Sequence, residues 1–483
     1  MNTPIRRLSF VVMAMFAALL VASTMIQFVQ AKSYNEKPGN RRALLKSYAK
    51  ERGSILVDGN AVAVSKPVDN DFKWQRSYPQ GSTYAAATGY FSFTYGTSGV
   101  ERGYNDLLSG SSDKLFYRQL PEILTGKEPQ GASVDLTIRA KVQQAARNAL
   151  GNQRGAVVAM DPKTGAILAM VTSPTYDPNL LSTHDLNAVQ DNWKQLTTAK
   201  NQPMINRVIG GNLYPPGSTF KLVTAAAALE SGKYKPDSEL DAPAAIKLPG
   251  VVRPLPNVTG RACGPNDRTT LEHAIEISCN TAFAGLGMDL GQDKVRQQAT
   301  KFGFGQQLTI PMNVTPSTFP GNLQQAQLAQ SSIGQFDVRA TPLQMAMVSA
   351  GIANGGKVMR PYLVQTVRDK NLDVVQSTDP SVFSDAVGSD VATQLKDMMK
   401  KVVDTGTGRR AQIPNVEVAG KTGTAETAPG VNADVWFTGF APANDPKVVV
   451  AVVVEDGGTA GQEASGGSVA APIAKAVMEA VVK

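Results

Sequence analysis

One apolar segment near the start of the chain constrains its fold more than any other feature. Leu8 to Val29 is a run of 22 residues, long enough as a helix to cross the roughly 30 Å hydrocarbon core of a bilayer. Four polar residues interrupt the run: Ser9, Ser23, Thr24 and Gln27. The sequence therefore predicts a membrane-associated N-terminus, with the functional part of the chain folded after it.

The sequence leaves open whether this segment is cleaved and which way it is oriented in the membrane. A cleavage site at Val29-Gln30-Ala31 is one alternative, but the run exceeds the roughly 7 to 15 apolar residues of a cleaved signal, which favours an uncleaved anchor. More lysines and arginines follow the span than the two, Arg6 and Arg7, that precede it. The positive-inside rule therefore does not give the orientation, which has to rest on the chemistry of the downstream chain.

Composition excludes several classes of function. With 483 residues and 42% hydrophobic content, the chain is long enough for two or three folded domains. Its net charge of +8 is spread over the length without a basic block interleaved with aromatics, so we predict no nucleic-acid surface. The two histidines, His184 and His273, have no Cys or His at ligand spacing, so we predict neither a metal site nor a cofactor.

Residues 41 to about 130 have the pattern of a β-rich module with short, turn-bounded segments. Glu51 to Val57 reads as a strand, Asp58-Gly59-Asn60 as a turn and Ala61 to Val64 as the returning strand. Little helical periodicity is visible in this part of the chain. It contains no obvious catalytic constellation.

From Val134 onward the pattern changes to alternating helices and strands. We predict a helix over Arg139–Leu150, a hairpin of Gly155–Met160 with Ala166–Met170, helices at Pro342–Val348 and Ala392–Met399, strands at Val416–Ala425, Val435–Phe440 and Val448–Val454, and a final helix over Val469–Val481. Strands at both ends with helices between them indicate one antiparallel sheet, assembled from distant pieces, beside a helical insert. The predicted fold class is α+β.

The stretch from Tyr214 to Gly232 carries the strongest chemical signal. A Pro-Pro-Gly turn delivers Ser218 to the start of an alanine-rich helix, and Lys221 follows three residues later on the same face. A serine hydroxyl becomes a good nucleophile when a neighbouring neutral amine takes its proton. Ser-x-x-Lys also occurs at Ser47 and at Ser111. The first copy lies among charged residues that predict a solvent-exposed helix, and the second lies among serine and glycine residues typical of a loop.

Two further motifs follow the Ser218 helix. Ser278-Cys279-Asn280 comes after a predicted helix over Leu271–Ile277, and Lys421-Thr422-Gly423 interrupts a late strand, where glycine lets a ligand backbone approach closely. Each motif has a second copy, Ser33 to Asn35 beside the anchor and Lys163 to Gly165 in the predicted hairpin turn. The order of the three motifs along the chain, and their positions relative to helices and strands, distinguish the copies predicted to form the site from these second copies.

With the three motifs in place, the sequence resembles the penicillin-binding proteins, in which this trio is characteristic. Within them it is similar to the class B monofunctional D,D-transpeptidases, closest to the actinobacterial penicillin-binding protein A group. Further shared motifs are Arg52-Gly53-Ser54-Ile55, Gly96-x-x-Gly99-x-Glu101, Ser173-Pro174-x-Tyr176-Asp177-Pro178-Asn179, Gly334-Gln335, Thr341-Pro342-Leu343-Gln344, Gly406-Thr407-Gly408 and Thr424-Ala425-Glu426. One departure from the β-lactamase form is Cys279 at the central position, where that form has Asp.

The resemblance implies a serine penicillin-recognising transpeptidase fold. That fold is an antiparallel five-stranded sheet with helices on both faces and an all-helical subdomain. On this basis we divide the chain into a cytoplasmic tip and transmembrane anchor (1–31), a β-rich pedestal resembling a dimerisation domain (32–130) and a transpeptidase domain (131–483). The resemblance also implies a single-pass plasma-membrane protein with a cytoplasmic N-terminus and an extracytoplasmic catalytic domain.

The resemblance further implies a role for each motif residue. Ser218 is the expected nucleophile, Lys221 its base, and Ser278 a proton relay between Lys221 and Lys421. The residues expected to hold a peptide ending in D-alanyl-D-alanine are Asn280, Thr422, Gly423 and Thr424, with Lys421 on the terminal carboxylate. Backbone N–H groups of Ser218 and Thr424 are expected to form the oxyanion hole.

The expected function is cross-linking of peptidoglycan stem peptides, with β-lactams acylating the same serine. A D,D-carboxypeptidase or β-lactamase follows from the same acyl-enzyme if water attacks it. A non-enzymatic β-lactam sensor is the alternative from another class, but about seven residues before the span leave no output domain. The resemblance suggests a membrane glycan polymerase as partner.

The only two cysteines, Cys263 and Cys279, flank the predicted helix before the Ser-x-Asn motif. They pair in an oxidising compartment and stay as buried thiols in a reducing one. We favour the disulfide.

Overall fold

A computed structural model describes residues 2–30, 33–34, 50–70, 72–115, 130–211, 213–427 and 430–483. The Ser47 copy of Ser-x-x-Lys and Asn35 lie outside these residues. Helix α1 (Asn2–Thr24) continues into a π-helical turn (Met25–Val29). Together they form a continuous 27-residue helix, Thr3–Val29, that contains an 18-residue window of mean hydropathy 2.3, none of which is buried against the rest of the protein. Its length and composition are those of a single membrane span, as the sequence predicted.

The first folded layer is a six-stranded sheet that draws on two distant parts of the chain. Its strands are β1 (Ile55–Val57), β2 (Asn60–Pro67), β3 (Trp74–Ser77), β6 (Ser133–Leu136), β16 (Val364–Arg368) and β17 (Val374–Ser377), in the spatial order β17-β16-β6-β1-β2-β3. The predicted Asp-Gly turn joins β1 to β2, with positive φ at both Asp58 and Gly59. The sequence analysis did not anticipate that β16 and β17 join this sheet.

Three short helices accompany this sheet, and the sequence analysis did not predict them. They are α2 (Gly81–Thr88), α3 (Gly99–Gly103) and α4 (Asn105–Leu108). Alanine and tyrosine side chains of α2 are buried, so tertiary packing stabilises a helix too short to form alone. The expected β-rich segment therefore also contains helices.

A buried ion cluster holds this segment together. Glu101 is fully buried, and its two carboxylate oxygens each accept a 2.6 Å bond, one from Arg52 Nε and the other from Arg76 Nε. Tyr78 donates its hydroxyl to the same carboxylate at 3.2 Å. Burial acts to raise the pKa of Glu101, but Arg76 and Arg52 more than offset it and hold that pKa below its usual value. Two sequence motifs, around Arg52 and around Glu101, thus meet in one contact.

The second layer is the predicted five-stranded antiparallel sheet, in the order β19-β20-β21-β7-β8. Its strands are β7 (Gly155–Met160), β8 (Ile167–Ser173), β19 (Ala419–Ala425), β20 (Asp434–Ala441) and β21 (Val448–Val454). All residues of β20 and β21 are buried, which explains the continuous apolar, valine-rich run of the latter. The sequence predicted all five strands to within a few residues.

Helices cover both faces of this sheet. On one face α5 (Ala140–Leu150) packs over β7 and β8, and α15 (Ala471–Val482) packs over β20 and β21, with Val450 and Val452 in the same core. On the other face α13 (Pro342–Ala353) packs over β7, β20 and β21, with Ala451 and Val453 in a separate core. Because side chains alternate along a strand, one apolar sequence serves two separate cores. The predicted helices at both faces are confirmed.

Two helices pack beside the six-stranded sheet: α6 (Asn179–Ser182) contacts β3, and α7 (Leu186–Thr198) packs against α6. The remaining helices form the helical subdomain beside the five-stranded sheet. They are α8 (Lys221–Glu230), α9 (Leu271–Glu276), α10 (Asn280–Leu290), α11 (Gln292–Lys301), α12 (Gln325–Ser331) and α14 (Ser389–Asp404). Five short antiparallel strand pairs lie between helices: β4 (Phe91–Ser92) with β5 (Gly96–Thr97) between α2 and α3, and further along the chain β9 (Glu239–Asp241) with β12 (Arg268–Thr270), β10 (Ala245–Ile246) with β11 (Leu255–Pro256), β13 (Leu308–Thr309) with β14 (Asn313–Val314), and β15 (Lys357–Met359) with β18 (Val382–Asp385). Helix α8 is buried along nearly its whole length, as its alanine-rich sequence requires.

Candidate active site

Ser218 lies in a 3₁₀ turn, Gly217–Phe220, that leads directly into α8. The side chain of Thr219 closes this turn by donating to the carbonyl of Pro216 at 2.6 Å. Gly217 has a φ of +51° and donates its N–H to Gly334 O at 2.9 Å. The serine is thus presented at the start of the helix, as predicted, by a turn whose backbone is fixed on both sides.

The turn packs directly against the edge strand β19. A Cβ atom on Gly217 would lie 2.7 Å from the carbonyl oxygen of Thr424, and one on Gly423 would lie 3.0 Å from that of Pro216. Glycine at these two positions permits the close approach. Ser218 and the Lys-Thr-Gly strand therefore border one cleft, although the sequence separates them by about 200 residues.

Lys221 is fully buried, and its ammonium group is directed at the Ser-x-Asn motif. Its Nζ donates to Ser278 O at 2.7 Å and to Asn280 Oδ1 at 2.8 Å, with Ser278 Oγ at 3.4 Å. Burial lowers its pKa well below the usual lysine value, and Lys421 lowers it further. A buried amine with a depressed pKa is suited to accept a proton near neutral pH.

Ser278 lies in a tight bend between α9 and α10 with a φ of +63°, an uncommon conformation for serine. The bend places its hydroxyl between the two buried lysines. The adjacent Cys279 is bonded to Cys263, with Cα atoms 6.1 Å apart, so the favoured disulfide is present. That bond ties the bend to the preceding loop.

Asn257, which the sequence analysis did not single out, fixes the start of α10. Its Oδ1 accepts from the backbone N–H groups of Asn280 and Thr281 at 2.9 and 3.0 Å. Its Nδ2 donates to two carbonyls of the same loop, at 2.9 Å each. No local pattern identifies such a residue, because its partners at the start of α10 lie more than twenty positions away.

Lys421 is the second buried cation of the site. It lies on β19 and donates to Ser278 Oγ at 2.9 Å and to Thr422 O at 3.0 Å. Burial lowers its pKa from the usual lysine value to about 7. The next residue, Thr422, exchanges a 2.6 Å hydrogen bond with the hydroxyl of Thr407. Thr407 belongs to the Gly406-Thr407-Gly408 motif, for which the sequence analysis gave no role.

The structure thus brings the predicted residues together. Hydrogen bonds link Lys221, Ser278, Asn280 and Lys421 in one network, and backbone packing places Ser218, Gly423 and Thr424 beside it. Among the described residues, Ser218 Oγ forms no hydrogen bond. In the Ser111 copy of Ser-x-x-Lys, Ser111 and Ser112 lie in a loop as predicted, but Asp113 and Lys114 are helical. The Lys163 copy of Lys-Thr-Gly occupies the turn between β7 and β8, as predicted.

A second buried network supports the Ser218 turn from behind. Tyr214 donates its hydroxyl to Glu455 Oε1 at 2.7 Å, and Arg207 Nε donates to the same oxygen at 2.8 Å. Trp436 Nε1 donates to Pro215 O at 3.1 Å. These contacts anchor the residues just before the nucleophile turn. The sequence analysis missed Glu455, which directly follows the valine-rich strand β21.

The Gly334-Gln335 motif connects the turn to the exit of β19. A Cβ on Gly334, whose φ is +75°, would lie 2.1 Å from Gly217 O. The Gln335 amide lies against the backbone of Glu426. In the orientation that satisfies both groups, its nitrogen donates to Glu426 O at 3.3 Å and its oxygen accepts from Glu426 N at 3.2 Å. The sequence comparison had included this motif among those shared with the penicillin-binding proteins, but had assigned it no role.

Chemically, the site offers a hydroxyl at a helix start, two buried amines and a bridging hydroxyl. Such a set can take a proton from the hydroxyl, stabilise an anionic intermediate and hold a carboxylate. Within the described ranges, no three His, Cys, Asp or Glu side chains are grouped so as to hold a metal ion. The arrangement therefore fits acyl transfer through a serine ester.

Two family models match the chain. Residues 155–479 match the penicillin binding protein transpeptidase domain, and residues 52–134 match the penicillin binding protein A dimerisation domain. The chain is 43% identical over 492 aligned positions to the peptidoglycan D,D-transpeptidase PbpA of Mycolicibacterium smegmatis, covering 100% of this chain and 99% of that protein. It is 41% identical over 495 positions to PbpA of Mycobacterium tuberculosis, with the same coverage.

Solved structures give the same result for the fold. Penicillin-binding protein A from M. tuberculosis as a ceftriaxone acyl-enzyme complex is similar with a TM-score of 0.88 and 40% identity, covering 91% of this chain and 100% of that one. The penicillin G acyl-enzyme complex of the same protein has a TM-score of 0.85 at 40% identity, covering 89% and 99%.

Proposed function

Since this chain belongs to the penicillin-binding protein family and is a peptidoglycan D,D-transpeptidase, we propose that Ser218 is its nucleophile and that Lys221, Ser278 and Lys421 move the protons. One observation carries the proposal. Two buried amines, Lys221 and Lys421, share the hydroxyl of Ser278 beside the turn that presents Ser218. The alternatives of a hydrolase and a non-enzymatic sensor are less favoured, because the matched relatives are transpeptidases.

Lys221 acts as the base of acylation. Its two short bonds, to Ser278 O and Asn280 Oδ1, use two N–H groups, so the neutral amine keeps one lone pair. That lone pair takes the Ser218 proton as Oγ attacks the carbonyl of the penultimate D-alanine. Burial and the neighbouring cation Lys421 keep the amine neutral.

The rest of the site handles charge and the leaving group. The N–H groups of Ser218 and Thr424 stabilise the tetrahedral oxyanion, each by on the order of 3 kcal/mol. Ser278 passes its hydroxyl proton to the departing D-alanine nitrogen and regains a proton from protonated Lys221, and the bridging position of its hydroxyl between the two amines suits that relay. The C–N bond then breaks and leaves an ester on Ser218.

The substrate is held by its amide and its terminal carboxylate. Asn280 hydrogen-bonds the substrate backbone, while Lys421 with the hydroxyls of Thr422 and Thr424 holds the carboxylate. Gly423, without a side chain, lets the peptide lie along β19. An amine of a second stem peptide attacks the ester, forms the cross-link and regenerates the Ser218 hydroxyl. The protein also binds β-lactams, which mimic the same peptide end.

Mass spectrometry after treatment with benzylpenicillin tests the nucleophile. We expect one adduct, on the peptide containing Ser218, and none in Ser218→Ala. An adduct on another serine contradicts the assignment. For the base, Lys221→Ala is expected to lose acylation, and unchanged acylation would refute its role. Adding stem peptide with and without an acceptor amine separates cross-linking from hydrolysis.

We further propose the topology of the chain. The N-terminus is cytoplasmic, and residues 32–130 and 131–483 form the pedestal and the transpeptidase domain outside the membrane. The Cys263–Cys279 disulfide supports this orientation, since such bonds persist on the oxidising side. Protease digestion of intact spheroplasts is expected to remove everything after the span. Protection of the Ser218 peptide would reverse the orientation.

A membrane glycan polymerase is the proposed partner of the pedestal. The support is positional, because the pedestal lies in the chain between the span and the transpeptidase residues. Cross-linking from exposed pedestal positions in cells should capture a multispanning polymerase. Capture of a second copy of this chain alone would favour self-association instead.

A further inference from the structure

Resting on the proposed function, we propose that residues 245–261 form a binding surface for carboxylates of the stem peptide other than its terminal one. We call this segment the rim arm. It comprises the hairpin of β10 and β11 and the turn that follows. The ligand it suits is a peptide with free side carboxylates and aliphatic groups.

The rim arm begins at the site itself. Pro256 O, in β11, accepts a hydrogen bond from Asn280 Nδ2 at 3.2 Å. The next residue, Asn257, holds the backbone of Asn280. A peptide whose amide is bound by Asn280 therefore extends past the base of the arm.

The charge of the rim arm is one-sided and unpaired. The segment contains three cations, Lys247, Arg253 and Arg261, all exposed, and no acidic residue occurs from 242 to 264. None of the three forms an ion pair within the part of the chain that the structure describes. Cations nearby do pair: Lys233 with Asp289 at 2.6 Å and Arg268 with Asp241 at 2.7 Å.

Apolar side chains on the rim arm are also left in water. Val252 is fully exposed and Val258 is 83% exposed, with Val251 at 40%. The rim arm therefore presents both apolar and positively charged groups to a ligand. A ligand that carries both carboxylates and aliphatic groups satisfies both features at once.

The terminal carboxylate cannot be the anion concerned. It is assigned to Lys421, Thr422 and Thr424 at the strand edge, and Lys421 is buried there. A stem peptide with free side-chain carboxylates offers further anions. Charge complementarity and direct continuity with Asn280 therefore single out these groups.

A two-by-two comparison of enzyme and peptide tests the proposal. The probes are a stem pentapeptide ending in D-alanyl-D-alanine with free side carboxylates, and the same peptide with those groups converted to carboxamides. The enzymes are the full-length protein in detergent and its Arg253→Gln and Lys247→Gln/Arg253→Gln/Arg261→Gln variants. Lys141→Gln, an exposed cation on α5, is the matched control.

We expect Arg253→Gln to lower kcat/KM for the free-carboxylate peptide by about two- to fivefold, the range of an exposed ion pair, and the triple variant to lower it further. Both should leave the carboxamide peptide and the rate of benzylpenicillin acylation unchanged. Added salt should reduce the difference.

Equal losses on both peptides, no loss on either, or slower penicillin acylation in the variants would each overturn the proposal. Absence of a Ser218 adduct in the unaltered enzyme would instead overturn the proposed function. The two failures are therefore distinguishable in the same set of measurements.

Discussion

The most direct test of the electrostatics is to remove the charge of Lys421 and follow the base Lys221. Both amines lie within reach of Ser278 Oγ, at 3.4 and 2.9 Å, so their nitrogens are at most about 6 Å apart. Two unit charges at about 6 Å with an effective dielectric constant of about 20 interact by about 2.8 kcal/mol, or about 2 pH units. Lys421→Gln should therefore raise the pKa of Lys221, which burial will still hold below the usual lysine value.

The sign of the effect on activity follows from the role of the neutral amine. A higher pKa leaves less free base at a given pH, so the acidic limb of Ser218 acylation should move to higher pH. The assay is the second-order rate of benzylpenicillin acylation from pH 5 to 10, within the stable range of the protein. The midpoint of the limb is read rather than its amplitude, because the variant also loses carboxylate binding.

Lys421→Arg is the matched control, since arginine keeps a permanent cation at the position. Its acidic midpoint should stay near that of the unaltered enzyme even if its rate falls. If the acidic midpoint of Lys421→Gln does not move, like-charge repulsion from Lys421 does not contribute to the lowered pKa of Lys221. A thermal melt of each variant excludes a change in folding.

Three further predictions follow from the geometry. Because burial lowers the pKa of Lys421 to about 7, benzylpenicillin acylation should decline above about pH 7 as the cation is lost, whereas a penicillin ester without the carboxylate should show no such decline; an identical profile for both would contradict the assignment. Glu101→Gln leaves two buried guanidinium groups without their anion, so denaturant unfolding should show a loss of about 3–5 kcal/mol, and a loss below about 1 kcal/mol would contradict this. Gly334→Ala places a Cβ 2.1 Å from Gly217 O, so stopped-flow acylation should slow by about tenfold or more, and an unchanged rate would show that the turn can shift without cost.

Much of the site could be predicted because its chemistry is encoded in short, spaced motifs. Ser218, Ser278 and Lys421 were chosen over other copies by their position relative to helices and strands, and the structure places those motifs around one cleft. The valine-rich run at Val448–Val454 predicted a strand, which the structure confirms, and its side chains contribute to a core on each face of the sheet.

The remainder depends on contacts that local patterns do not encode. Tyr214 and Glu455 are 241 positions apart, and Asn257 serves Asn280 from a loop with no periodicity of its own. Helix α2 forms because tertiary packing buries it, so its short sequence gave no clear period. Arg76, whose guanidinium meets Glu101, sits in an ordinary-looking strand.

The six-stranded sheet has a practical consequence for anyone who shortens this protein. Strand β6 is paired on one side with β1 and on the other with β16, so neighbouring strands come from either side of residue 130. A fragment starting at residue 131 would keep β16 and β17 but lose β1. The backbone groups of β6 that pair with β1 would then form an exposed sheet edge prone to self-association. Versions of the protein without the membrane span should instead begin before Arg52. In such a version, the segments before and after residue 130 should unfold in a single thermal transition.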